Sequence, residues 1–104
     1  MTPKTDIEKI DALIHVLRGK NVMLDSDLAR LYGVTTGNLN KAVRRNLKRF
    51  PADFMFQFDR QELRNLIFQI GTSSYGGKRK LPLAFTEQGV AMLSTVLNSD
   101  RAAG

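Results

Sequence analysis

The chain has no cysteine and only one histidine, His15. The lack of thiols excludes disulfides, thiolate metal sites and cysteine nucleophiles, and one imidazole leaves no second for a histidine-based metal cage. Stability must come from packing alone, and neither a metal nor a cofactor is expected. No apolar run approaches the roughly 18 to 20 residues of a membrane span. The opening Met1-Thr2-Pro3-Lys4-Thr5-Asp6 also lacks the basic-then-apolar order of a signal peptide. A cytoplasmic protein is expected. At 104 residues there is no room for a cofactor domain beside a substrate domain, so residues 1–104 are read as one domain and a multi-domain enzyme is excluded.

What is there is 42% hydrophobic residues, enough for a globular core, and a formal net charge of +6. That charge is unevenly placed. Up to residue 40 the basic Lys4, Lys9, Arg18, Lys20 and Arg30 are matched by Asp6, Glu8, Asp11, Asp25 and Asp27, so the whole excess lies beyond. There Lys41, Arg44, Arg45, Lys48 and Arg49 form one cluster and Lys78, Arg79 and Lys80 another, neither with a carboxylate inside it. Focused positive charge suits a polyanion, and nucleic acid is the commonest in cytoplasm.

Periodicity organises the chain into short elements. Ile7, Ile10, Leu13 and Ile14 make a helical stripe. Two β-prone runs follow, Ile14–Leu17 and Val22–Leu24, and the four residues Arg18-Gly19-Lys20-Asn21 between them predict a hairpin; one helix continuing to Leu17 is the alternative. Asp25 or Ser26 then caps a helix with Leu28, Leu31 and Tyr32 on its apolar face, stopped by Gly33. Thr35 or Thr36 caps a second helix that carries Leu39, Ala42, Val43 and Leu47 inward and ends before Pro51. Phe54, Phe56 and Phe58 alternate as in a strand, and their stripe is read as core rather than as a base-stacking platform. Asp59 and Glu62 have the spacing of a capping pair for a helix through Leu63, Leu66, Ile67 and Ile70. A Gly/Ser-rich basic loop, 71–80, leads to Leu81–Phe85, expected at a sheet edge because Pro82 cannot donate to a ladder. Thr86 caps a last helix through Val90, Leu93 and Leu97.

Together these predict an α+β fold: a helix-turn-helix with an N-terminal β-hairpin, short flanking strands and a basic wing-like loop. Ala29 supplies the small residue where the two helices cross, and Gly33 the turn. The outer face of the second helix then carries Thr36, Gly37, Asn38, Asn40, Lys41, Arg44, Arg45 and Lys48. Amides pair with adenine edges, arginine with guanine edges, and either cation with phosphates, so the set suits major-groove reading. Thr36, Asn38, Asn40 and Arg44 are assigned to bases, and Lys41, Arg45, Lys48 and Arg49, with Lys78, Arg79 and Lys80, to phosphates. The plainer alternatives are a solvated basic face and a solubilising loop. Enzyme chemistry finds no support: a phosphate-cradling Walker loop over 71–79 fails at Thr72 and Arg79, and nothing is spaced to use His15.

Long blocks of the chain resemble the ORF-six N-terminal domain family, which is related to the KilA-N domains of phages and large DNA viruses. They are Val22–Ala29, Tyr32-Gly33-Val34, Asn46, Arg49–Gln57 and Ala84–Ser94, within about residues 7–101. The resemblance implies a DNA-binding module of a phage or prophage regulator, antirepressor-like, acting at the nucleoid of the bacterial host. It also implies a C-terminal domain beyond this chain, matching the helical pattern that fades after Asn98 without a terminator. Double-stranded DNA is the expected partner, and a homodimer is compatible with it. The alternative is a protein-interaction module that binds another phage or host regulator.

Overall fold

A computed structural model describes residues 12–70 and 81–103. Strands β1 (His15–Leu17), β2 (Lys20–Leu24), β3 (Met55–Gln57) and β4 (Leu83–Thr86) form one antiparallel sheet in the order β1-β2-β4-β3. Helices α1 (Asp25–Tyr32) and α2 (Thr36–Arg45), a 3-10 turn (Leu47–Arg49), α3 (Arg60–Ile70) and α4 (Glu87–Ala103) complete a small α+β architecture.

Alternation along the strands feeds two cores. Met23 and Phe85 join Leu28, Ala29, Leu39, Ala42, Val43, Leu93 and Val96 on one face of the sheet, which α1, α2 and α4 cover. Val22, Leu24 and Ala84 join Phe58, Leu63 and Leu66 on the other, beneath α3. Phe56 packs against this second cluster beside the buried Phe58, as the alternation indicates, while Phe54 is half-buried and belongs to neither cluster. A sheet covered on both faces is the reason its strands read as nearly continuous apolar runs.

Several boundaries differ from the sequence expectation. The hairpin turn is two residues, not four: Arg18 (φ 54) and Gly19 (φ 75) are both left-handed, the pattern of a type I′ connection. Strand β4 lies inside the sheet, between β2 and β3, rather than at its edge. Pro82 precedes the strand, and its carbonyl accepts from the Phe58 amide at 2.9 Å, so its missing N–H breaks no ladder bond. Helix α1 starts directly from β2 with Leu24 as N-cap and no side-chain cap; the Asp25 carboxylate instead accepts from the Ser26 amide at 2.8 Å. Leu31 and Leu47, expected inside, are 50% and 55% exposed. Apart from residues 12–14, the N-terminal helical stripe lies outside the described residues, as does the basic loop 71–80.

Other local signals form as read. The end of α1 is a Schellman turn: Gly33 is left-handed (φ 70, ψ 31), Val34 N–H donates to Ala29 and Gly33 N–H to Arg30. Gly33→Val puts a β-branched side chain in that conformation and is expected to cost about 1–2 kcal/mol. Ala29→Leu overpacks a position only 2% exposed and is expected to cost about 1–3 kcal/mol. Both lower the unfolding midpoint, which thermal denaturation checks.

Asp59 and Glu62 form a reciprocal capping box. Glu62 N–H donates to Asp59 Oδ1 at 2.7 Å and Asp59 N–H to Glu62 Oε1 at 2.9 Å. Glu62 also takes two 2.8 Å hydrogen bonds from Arg18, whose guanidinium lies 4.4 Å from the Phe56 ring centre. This clamp ties the hairpin turn to α3. Chiefly through the Arg18 hydrogen bond, it holds the Glu62 carboxyl at about 2, below the ordinary 4.5. The unfolded chain therefore binds this proton at higher pH than the folded chain does. The stabilisation is complete above about pH 5 and is lost as pH falls from 4.5 towards 2. Glu62→Gln is expected to flatten that part of the stability–pH curve, measured as urea midpoints in steps from pH 6 to 2.

Candidate nucleic-acid interface

Helix α2 is positioned by its apolar stripe. Leu39, Ala42 and Val43 are at most 2% exposed, packed against α1, α4 and the sheet, which turns the opposite face to solvent. Thr35 sets the start: its Oγ1 accepts from Asn38 N–H at 3.0 Å. Between α1 and α2 lie only Gly33, Val34 and Thr35, and the Schellman bonds tie the first two of these back to α1.

On the outward side Asn38, Lys41, Arg44 and Arg45 are exposed, with Gly37 between them, and Thr36 is half-buried. Lys48 and Arg49 are exposed too, but on the 3-10 turn rather than on a helix running to residue 49. The break is at Asn46 (φ −129, ψ 33), whose side-chain amide donates to the Ala42 carbonyl at 2.8 Å. Asn40 does not face outward. It is 7% exposed, on the border of the α2 stripe that meets β3 and β4, and its Oδ1 has no hydrogen-bond partner among the described residues. It shares a cavity of about 200 Å³ with Val43, Arg44, Leu47, Met55, Gln57, Leu81 and Leu83. The sequence places Asn40 correctly on the helix, yet the strands that line its cavity begin 15 and 43 residues later. Lys78, Arg79 and Lys80 lie outside the described residues.

The electrostatics are one-sided. From Asp27 to Asp53 the chain has no carboxylate, while Arg30, Lys41, Arg44, Arg45, Lys48 and Arg49 fall between them. Arg30, exposed in the last turn of α1, joins this side although it stands alone in sequence, outside either cluster of cations. Its partner Asp27 is 3.8 Å away, and burial pushes the Asp27 carboxyl up against the pull of Arg30 and His15. The helix N-terminus that leads the exposed face brings its own positive partial charge.

The ORF6N domain family matches residues 12–96, from just before β1 into α4. The chain belongs to the ORF6N domain family. No curated protein sequence and no solved structure matches it. The matched span of this ORF6N domain takes in the whole sheet, both helices of the basic face and their turn. Among its described residues, no helix is long and apolar enough to cross a membrane.

Proposed function

We propose that this ORF6N domain is a sequence-specific double-stranded DNA-binding domain of a phage or prophage regulatory, antirepressor-like protein. In this proposal α1 and α2 act as a helix-turn-helix and α2 enters the major groove. The observation that carries the proposal is the outward face of α2: Asn38, Lys41, Arg44 and Arg45 exposed over a buried apolar stripe, in a stretch without carboxylates. A helix whose outer face offers an amide and several cations but no carboxylate, behind a three-residue turn, has the shape and charge that the major groove accepts.

Residues at the start of such a helix reach base edges, whereas cations farther along meet the backbone. Thr36 and Asn38 are therefore assigned to bases, Arg44, in the last turn of α2, to a base because its guanidinium suits a guanine edge, and Lys41, Arg45, Lys48 and Arg49 to phosphates. Lys78, Arg79 and Lys80 receive the phosphate role on their charge alone. Asn40, buried, is withdrawn from the base readers. The test is a pair of titrations on a duplex selected from a random pool and on its scrambled counterpart. Arg44→Ala is expected to lose about 1–3 kcal/mol on the selected duplex and little on the scrambled one. Lys48→Ala is expected to weaken both alike and to lower the salt slope by about 1. Equal losses by both variants on both duplexes would overturn the division into readers and anchors.

A further inference from the structure

Leu47 stands where helical periodicity would bury it, four and eight residues after the buried Val43 and Leu39. The chain takes it out of that stripe. At Asn46 the helix stops: the Asn46 amide N–H turns back to the Val43 carbonyl at 2.9 Å and its side chain holds the Ala42 carbonyl at 2.8 Å. A 3-10 turn follows, with Arg49 N–H bonded to Asn46 and Phe50 N–H to Leu47. Leu47 is thereby left 55% exposed, with Arg44 and Arg45 before it and Lys48 and Arg49 after it, all four exposed.

A leucine in that company does nothing for phosphate binding, and an exposed leucine gains nothing in water. Thymine, however, presents an apolar group, its 5-methyl, on the major-groove edge, and an aliphatic side chain is its complement. Leu47 also borders the cavity shared with Met55, Leu83 and Arg44, so one side of it lies along an apolar wall while the other is open. We propose that Leu47 is a specificity-determining residue that packs on the 5-methyl group of a thymine in the bound duplex. The inference rests on the DNA-binding proposal above and adds one base contact to it.

The probe is the selected duplex with each thymine replaced in turn by deoxyuracil, which removes only the methyl group. At one thymine position per bound domain, the wild-type chain is expected to bind the deoxyuracil duplex roughly fourfold more weakly, the transfer value of one buried methyl. Leu47→Ala is expected to bind thymine and deoxyuracil duplexes equally at that position, with the unfolding midpoint lowered only slightly because more than half of the residue is exposed. Indifference of the wild type to every replacement, or the same thymine preference in Leu47→Ala, overturns the inference while leaving DNA binding standing. Unstacking of a 2-aminopurine probe by the wild type, without any methyl dependence, also overturns it in favour of a wedge between base steps. If no duplex binds at all, the DNA-binding proposal fails and this one with it.

Discussion

Gly89→Ala is expected to lower the unfolding midpoint by more than about 10 °C, a loss of roughly 3 kcal/mol. The reason is a close approach rather than an unusual backbone angle. A methyl group built on Gly89 falls on the Phe54 carbonyl oxygen and lies 2.8 Å from its carbon. That carbonyl cannot retreat, because it accepts from Thr86 N–H at 3.0 Å, and Thr86 Oγ1 is itself held by the Asp53 carbonyl at 2.7 Å. The same hydroxyl caps α4 by accepting from Gly89 N–H at 3.3 Å. The turn before β3, the end of β4 and the start of α4 thus meet at one point where only a hydrogen fits. Gly37→Ala is the control: nothing lies within 4 Å of the added methyl, and helix propensity should return about 0.5–1 kcal/mol. Thermal melts of the two variants should move in opposite directions.

The second large effect concerns binding. Replacing Lys41, Lys48 and Arg49 together by glutamine is expected to weaken duplex binding about a hundredfold near physiological salt, and to lower the log–log salt slope by about 3. All three are exposed, so the fold should be unaffected, with circular dichroism and melting unchanged. A triple variant that binds as tightly as the wild type would assign these side chains to solvent rather than to DNA.

How much of this could be read beforehand depends on distance along the chain. The Asp59–Glu62 box, the Thr35 cap and the Gly33 turn were legible because each is a contact between residues three to five apart. The two-sided sheet was half legible: alternation marks the strands, but their order depends on pairings such as Met23 with Phe85, which no local pattern contains. Pro82 pointed to an edge strand, although a proline one residue outside the ladder leaves the strand free to sit in the middle. Phe50, which lies outside every periodic stripe of the sequence, is 5% exposed and meets Phe85 edge-on, ring centres 5.9 Å apart.

The candidate interface followed the same rule. The cations of α2 were legible because charge and a 3.6-residue period are local properties. Asn40 and Leu47 were both misplaced, in opposite directions, and for tertiary reasons. Asn40 is buried beside a cavity that β3 and β4 help to line, while the break at Asn46 leaves Leu47 exposed. An asparagine in mid-helix can equally be a reader or a border residue, and only the neighbouring strands decide which.

The most direct measurement is the salt dependence of binding to a selected duplex and to its scrambled counterpart, from about 50 to 300 mM monovalent salt. Each phosphate contacted contributes about 0.9 to the slope of log affinity against log salt. With the anchors assigned above, a slope between about −4 and −6 is expected on both duplexes, with the selected one bound at least about tenfold more tightly throughout. A slope near zero, or equal affinity for the two duplexes, would contradict sequence-specific DNA binding by this domain.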